Sequence, residues 1–151
     1  MYLEKLNQLG LELPDAAAAV ANYLPYMIEN NQIFISGQIS SKEGKLITGT
    51  LGKDLTIEEG IEAAKYCGLS IIAQLNKALE GDLGRIKQCI KLGIFVNSTP
   101  DFSDQPKVAN GASDLMGEVF GEKGKHSRSA VGVNVLPLNV AVEIDAIFAL
   151  N

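Results

Sequence analysis

The stretch RSAVGVNVLPLNVAVEIDAI, residues 128–147, decides the fold. Apolar residues alternate with small or polar ones on both sides of residues 136–139, which predicts two strands joined by a tight connection. When Val131 is placed opposite Ile144 in such a hairpin, one face becomes apolar and suited to lie under helices. The sequence therefore predicts a terminal hairpin that is buried on one side.

The opposite face of the predicted hairpin is polar. It carries small residues together with charged and amide side chains: Arg128, Ala130, Gly132, Asn134, Glu143 and Asp145. Such a face is either solvated or packed against another subunit, and the pattern leaves both open. In this register Arg128 and Glu143 lie about 13 Å apart along the strands. If the two residues act together, three explanations remain open. The long Arg128 side chain reaches towards Glu143, or the two residues meet across a subunit interface, or the true strand register differs from the assumed one.

Two amphipathic helices precede this hairpin. Thr56 and Glu59 form a capping box, and apolar residues then recur at three- and four-residue steps through residues 57–79. A second apolar face runs through residues 108–120 and stops at Gly121. Both segments are long and periodic enough to predict helices.

Short strands are predicted between and before the helices. Residues 32–37 are β-branched and aromatic, residues 46–51 form a second short strand, and residues 86–96 alternate with one buried face. Leucines three apart predict a helical N-terminal extension over residues 1–12. The order β-β-α-β-α-β-β in 151 residues predicts one α+β domain.

Composition excludes several classes of function. The net charge of −5 repels phosphate backbones, so we expect no nucleic-acid partner. Cys67 and Cys89 lack the spacing of a zinc site or a disulfide framework, and we expect no metal. Neither a signal peptide nor an apolar run long enough for a membrane span is visible. We expect a soluble, cytoplasmic protein with no membrane partner.

Arg128 and Glu143 are the strongest candidates for chemistry. The guanidinium of Arg128 fits a carboxylate with two parallel hydrogen bonds, although a solvated salt bridge explains it equally well. Glu143 lies in an apolar strand, where a carboxylate either pairs with a base or has a raised pKa suited to proton transfer. The lone histidine, His126, reads as an exposed loop residue, and both cysteines read as small apolar packing residues.

Several motifs resemble those of a known family. Ile35-Ser36-Gly37-Gln38 follows the first strand, and Asp101-Phe102 precedes the second helix. R-S-x-V, L-P and V-E-I-x-A-I then occur at fixed spacing within residues 128–147. Together these stretches resemble the Rid (RidA/YjgF) imine deaminases, also named endoribonuclease L-PSP proteins, over about residues 23–148. The segment 110–114 resembles a longer bacterial branch of that family.

The resemblance implies a fold, an assembly and an activity. The fold is chorismate-mutase-like, with a mixed sheet packed on one face by two helices. Three copies form a homotrimer whose sheets line a central barrel, with ligand clefts between subunits. Members of the archetypal branch hydrolyse 2-imino acids to 2-oxo acids and ammonia without a cofactor. This chain is then a hydrolase that removes reactive imines and enamines from metabolism.

The resemblance also implies roles for individual residues. Arg128 matches the arginine that binds the substrate carboxylate, and Glu143 matches the glutamate that positions or activates water. Ala130 stands where many deaminases have a cysteine, so only its backbone can contribute to binding. The remaining matches line the substrate cleft: Tyr23, Ser36, Gly37 and Asn110.

Three functions compete at this point. The first is imine deamination by a trimer that binds a small carboxylate. The second is a trimer that binds such a carboxylate without catalysis, as a sensor or regulator. The third is ribonuclease activity, which the negative charge and the single histidine disfavour.

Overall fold

A five-stranded mixed sheet carries two long helices on one face in the computed structural model, which describes residues 1–18 and 20–151. In chain order the elements are α1 (Tyr2–Gln8), β1 (Tyr26–Glu29), β2 (Gln32–Ile39), β3 (Ser41–Lys42), β4 (Lys45–Leu46), α2 (Ile57–Ala78), β5 (Ile86–Asn97), α3 (Gln105–Phe120), β6 (Ser127–Val133) and β7 (Val142–Leu150). The strand order is β1-β2-β7-β5-β6, and β3 pairs with β4 separately. All pairs in the large sheet are antiparallel except β5 with β6. The predicted α+β class with helices on one sheet face is confirmed.

The two predicted helices are present, and α3 begins at Gln105, three residues before the predicted apolar face over residues 108–120. The Thr56 hydroxyl accepts from the Glu59 amide, and the Glu59 carboxylate accepts from the Thr56 amide, which completes the predicted capping box of α2. α3 ends at Phe120, where Gly121 adopts a positive φ of 61°. α2 packs on β7 and β2, whereas α3 packs on α2, β5 and β6.

The predicted terminal hairpin is wrong. β6 pairs in parallel with β5, and β7 lies between β2 and β5. Every second residue of β7 is buried, so this strand gains most from a central position with both edges paired. β6 has no fully buried residue and takes the sheet edge, and α3 supplies the crossover that a parallel pair requires.

The predicted facing is right for β7 and wrong for β6. Val142 and Ile144 are fully buried under the helices, and Glu143 and Asp145 point to the other face, as predicted. In β6, Arg128 pairs with the buried Leu92 and faces α3, whereas Val131 is 45% exposed on the open face. The cause is the wrong partner strand, because pairing with β5 reverses which residues of β6 face the helices.

Two of the other predicted strands differ in detail. β5 covers the expected range, but its pairing with β7 shifts at two points, so Cys89 is buried and Ile90 is partly exposed. The predicted strand over residues 46–51 is reduced to the short β4 and isolated bridges at Thr48 and Leu51.

The N-terminal region contains more structure than the sequence predicts. Asn30 and Asn31 both have positive φ angles, 50° and 59°, and form a two-residue hairpin between β1 and β2. α1 is shorter than the predicted extension over residues 1–12, and its buried Leu6 joins the core beside α3. The Tyr2 ring packs 5.2 Å from the Phe120 ring, measured between centroids.

The core lies between the sheet and the two long helices. Cys67 on α2 and Cys89 on β5 are both buried in it, which confirms their reading as small packing residues. In the part of the chain that the structure describes, no helix combines the length and the apolarity that crossing a bilayer requires.

Candidate functional site

Arg128 is held against α3 by three acceptors. Its Nη1 donates to the Asn110 Oδ1 and the Ser113 Oγ, both at 2.9 Å, and its Nη2 donates to the Pro106 carbonyl at 3.3 Å. These three residues recur at steps of four and three, so they form one stripe on α3. The structure therefore brings Arg128 and the predicted Asn110 together.

A second layer of hydrogen bonds lies behind Arg128. The Ser113 Oγ lies 2.9 Å from His126 Nε2, and His126 Nδ1 lies 2.7 Å from the Gly124 carbonyl oxygen. His126 lies in the loop before β6, as predicted, but it is half-buried beside α3 rather than exposed. Nothing in its immediate sequence indicates this contact, since Ser113 is distant along the chain.

Ala130 lies two residues beyond Arg128 on the same side of β6. It pairs with Ile94 and packs against the core, half-buried. Its methyl group carries no ionisable atom, so the position contributes shape and backbone to this part of the sheet. Arg128, Asn110 and Ala130 together form what we call the arginine cluster.

Glu143 lies on the open face of the sheet, beside an irregularity in β2. The register between β2 and β7 shifts between Ile35 and Gln38, so Ser36 and Gly37 form a β-bulge next to Glu143. A Cβ on Gly37 would lie 2.9 Å from the Glu143 carboxyl carbon, so a larger residue at this position would displace the Glu143 side chain. The bulge thus sets the room available to this side chain.

The Glu143 carboxyl group is suited to carry a proton. Burial raises its pKa above the ordinary value, and the neighbouring Asp145 carboxylate raises it further. No hydrogen bond or ion pair from residues 1–18 or 20–151 engages its carboxylate oxygens. A raised pKa and free oxygens on a half-buried carboxyl group are typical of a general acid or base.

A cavity of about 860 Å³ opens at Glu143 and contains three more of the predicted residues, Tyr23, Ser36 and Gly37. The Ser36 hydroxyl donates to the Leu24 carbonyl at 2.7 Å, which fixes the turn that carries Tyr23. Tyr23 is 53% exposed at the rim. We call these four residues and the space they line the glutamate cavity.

The N-terminal segment forms one wall of the glutamate cavity, which the sequence did not predict. Residues 14–18 contribute Pro14, Asp15, Ala17 and Ala18 to the lining. The buried Gln74 of α2 holds this wall, because its Nε2 donates to the Ala17 carbonyl at 2.9 Å. An extended segment of small residues gives no periodic signal, so sequence patterns do not place it.

The charged groups of the glutamate cavity all have the same sign. Among the described lining residues, the ionisable carboxyl groups are Asp15, Glu43 and Glu143, and no lysine, arginine or histidine accompanies them. Such a lining favours a neutral or cationic group of a ligand over an anionic one.

The Arg128 and Glu143 side chains point to opposite faces of one sheet. Arg128 is in register with Leu92, which faces the helices, whereas Glu143 is in register with Phe95 on the open face. The predicted hairpin register, on which the separation of about 13 Å was based, is wrong, and the correct register does not bring the two side chains together within one chain. Within one copy of the chain, Arg128 and Glu143 are therefore separate from each other.

The described residues give little support for a cysteine nucleophile or a metal site. Burial raises the pKa of the Cys89 thiol to about 12 and that of the Cys67 thiol well above its usual range, so neither is a thiolate near neutral pH. Among residues 1–18 and 20–151, no group of three or more histidine, cysteine, aspartate or glutamate side chains could hold a metal ion.

Residues 4–150, nearly the whole chain, match the family described as "YjgF/chorismate mutase-like, putative endoribonuclease". The chain belongs to this family. Among its relatives, protein TCP17 of Trypanosoma cruzi is 49% identical over 148 residues, which cover 97% of this chain and 92% of that protein. A 2-iminobutanoate/2-iminopropanoate deaminase of Dermatophagoides farinae is 25% identical over 93% of this chain and 94% of that protein.

A solved structure of the YjgF family is also similar throughout. The crystal structure of a "putative endoribonuclease" from Shewanella oneidensis has a TM-score of 0.95 and 42% identity, and the match covers 99% of both chains. The resemblance predicted from the motifs is therefore confirmed at the level of family and fold.

Proposed function

We propose that this YjgF-family protein hydrolyses 2-imino acids to 2-oxo acids and ammonia. In this reaction a water oxygen bonds to the imine carbon, the carbon–nitrogen bond breaks, and the nitrogen leaves as ammonia after gaining protons. The observation that carries the proposal is Glu143, whose carboxyl group has a raised pKa, has no partner among the residues that the structure describes and opens on a cavity. The distant deaminase relative supports the choice of substrate class.

Arg128 would hold the carboxylate of the substrate. Three of its five N–H donors are used by Asn110, Ser113 and Pro106. In the described part of the chain, the Nε–H and one Nη2–H have no acceptor, so two donors are left for a carboxylate. Because the glutamate cavity carries only negative charge, the carboxylate end of a substrate is better placed at Arg128 than at Glu143.

Glu143 would move the protons of the reaction. As a carboxylate it accepts a proton from the attacking water, and as a carboxylic acid it returns a proton to the departing nitrogen. Because its pKa is raised, the carboxylate and the carboxylic acid forms of Glu143 are in equal amounts at a pH closer to neutral. No metal or cofactor takes part in this scheme.

A complete site would require a second copy of the chain, because the Arg128 and Glu143 side chains point to opposite faces of one sheet. The open face supports such an assembly, since Met27, Phe34 and Val131 expose 56%, 41% and 45% of their surface there. We place the arginine cluster of one copy against the glutamate cavity of the next, in a homotrimer. Sedimentation analysis should give three times the monomer mass of 16.1 kDa, and a monomer would contradict this arrangement.

The activity test measures 2-oxo acid release from imines that a threonine or serine dehydratase generates in place. Arg128→Ala should lower kcat/KM about 10- to 150-fold, which corresponds to the loss of about 1.5–3 kcal/mol from hydrogen bonds to a charged group. Arg85→Ala is the matched control, since Arg85 is the only other arginine and is exposed. A wild-type rate equal to that of buffer would contradict the proposal.

Carboxylate binding without catalysis is the second candidate. It is favoured by the separation of Arg128 from Glu143 within one chain, because the arginine cluster alone can bind an anion. This function predicts that calorimetry detects a 2-oxo acid in the wild type and not in Arg128→Ala, while the protein leaves the rate of imine hydrolysis unchanged.

Ribonuclease activity, which the family description names, has less support. The carboxylates Asp15, Glu43 and Glu143 in the cavity would repel an RNA backbone. Loss of an RNA-degrading activity of the pure protein on Glu143→Gln would reverse this ranking.

A further inference from the structure

We infer that Ser113 and His126 are positioning residues that fix the guanidinium of Arg128 in the orientation that receives a carboxylate. This inference rests on the proposed role of Arg128 and adds two residues to it. Both lie behind the guanidinium, and neither needs to touch the ligand.

The hydrogen bonds behind Arg128 have a defined direction. The Gly124 carbonyl can only accept, so His126 Nδ1, 2.7 Å away, must carry a proton. In the neutral ring Nε2 then has a lone pair, and the Ser113 hydroxyl donates to it over 2.9 Å. The proton of Ser113 is thereby committed to His126, and its oxygen is left as an acceptor for the Arg128 Nη1 at 2.9 Å. The chain of donors runs from Arg128 through Ser113 and His126 to Gly124.

Two members of this hydrogen-bond chain, Ser113 and Gly124, lie on tightly packed backbone. Gly124 passes so close to the backbone of Met116 that no Cβ would fit, which ties its carbonyl to α3. Gly111 lies equally close to the backbone of α2 at Ile61, so the turn of α3 that carries Ser113 is in direct contact with the backbone of α2. The position of the Ser113 oxygen is therefore determined by the core rather than by the surface.

The other two acceptors of Arg128 are weaker constraints. Asn110 is exposed, and its amide can rotate about its own side chain. The Pro106 carbonyl lies at 3.3 Å, which is longer than a strong charged hydrogen bond. Ser113 is thus the acceptor that holds the orientation of the Arg128 guanidinium.

Removing Ser113 or His126 should free the guanidinium before the ligand binds. Ordering one long side chain on binding weakens affinity about 2- to 10-fold. We expect Ser113→Ala and His126→Phe to raise the KM for imine hydrolysis by about that factor, with kcat changed much less, since Glu143 is untouched. Ser113→Thr keeps the hydroxyl and should restore the wild-type KM.

A nuclear magnetic resonance experiment reads the chain directly. His126 is the only histidine, so its ring ¹⁵N signals need no assignment. We expect the Nδ1–H tautomer in the wild type and a change of the ring signals when 2-oxobutanoate is added. This effect of 2-oxobutanoate on the His126 ring signals should disappear in Arg128→Ala and in Ser113→Ala. It should persist in Ser103→Ala, which changes an exposed serine before α3.

The outcomes separate this inference from the proposed function. Wild-type turnover with an unchanged KM in Ser113→Ala and His126→Phe would overturn the positioning role and leave the deaminase intact. Ligand-dependent ring signals without turnover would overturn the deaminase and support the positioning role. An Nε2–H tautomer, or a wild type that binds no 2-oxobutanoate, would overturn the inference itself. Thermal melting of each variant checks that the fold is kept.

Discussion

Gly37 and Glu143 approach each other so closely that a Cβ added to Gly37 would lie 2.8 Å from the Glu143 Oε2. The close atoms belong to the end of a flexible side chain and not to the backbone. A methyl group at this position would therefore displace the carboxylate while leaving the strands in place. This relationship separates the position of the carboxyl group from the stability of the sheet.

We expect Gly37→Ala to lower imine hydrolysis more than tenfold with little change in the free energy of unfolding, because a displaced acid or base acts poorly. Steady-state kinetics and urea denaturation measure the two quantities. Gly117→Ala is the matched control, since a Cβ there meets open space on α3. It should retain activity and gain about 0.5–1 kcal/mol from helix propensity. Equal activities in the two variants would contradict the role given to Glu143.

Glu143→Gln should lower kcat about 10²- to 10⁴-fold, because the amide keeps the shape of the side chain but cannot exchange a proton. The measurement is the rate of 2-oxo acid release under saturating imine. Glu118→Gln, an exposed change on α3, controls for the loss of one negative charge. A Gln variant as active as the wild type would remove Glu143 from the chemistry.

Glu143→Gln should also change how the free energy of unfolding depends on pH. Burial, and then the charge of Asp145, raise the pKa of Glu143 in the folded state. The folded protein therefore binds this proton more tightly than the unfolded chain, and stability falls as the pH rises through the folded pKa. Glu143→Gln lacks this loss, so it should unfold at higher urea concentrations than the wild type at pH 7. At about pH 3, below the ordinary carboxyl pKa, the difference should vanish.

Gln74→Leu should loosen the N-terminal wall of the glutamate cavity. The change removes the hydrogen bond from the Gln74 Nε2 to the Ala17 carbonyl. It also removes the Gln74 Oε1, which is buried and has no partner among the described residues. The two effects oppose each other, so the free energy of unfolding should change by less than about 1 kcal/mol. Elastase, which cleaves after small apolar residues, should cut residues 14–18 faster than in the wild type or in Gln8→Leu.

Thr56→Ala should lower the free energy of unfolding by about 1 kcal/mol. The change removes the acceptor for the Glu59 amide at the start of α2. Urea denaturation measures the effect, and activity should be unchanged because Thr56 belongs to neither the arginine cluster nor the glutamate cavity. A loss of activity at unchanged stability would point to a role for this helix end that the structure does not indicate.

Local patterns predicted the helices well. The capping box at Thr56 and the apolar stripe of α2 are short-range signals that need no knowledge of the rest of the fold. The alternation in β7 likewise predicted that Val142 would be buried and Glu143 would face away from the helices. Each of these features depends on residues within a few positions of one another.

Strand partners were not predictable in the same way. A hairpin is the shortest way to pair β6 and β7, but every second residue of β7 is buried, and the strand pairs with β2 and β5 at the centre of the sheet. That preference depends on the whole sheet, and the wrong partner also reversed the facing of Arg128. The contact of Ser113 with His126 is hidden for a related reason, since it depends on how the chain returns past α3 to β6.

The two buried cysteines can be used to detect local or global unfolding of the protein. Both thiols are closed off by the core and stay protonated near neutral pH, so an alkylating reagent meets them only when the fold opens. Cys67 lies on α2 and Cys89 on β5, so mass spectrometry of the labelled peptides would tell whether the helical layer and the sheet open together or one before the other. No probe has to be introduced, and each variant described above can be followed by the same labelling reaction.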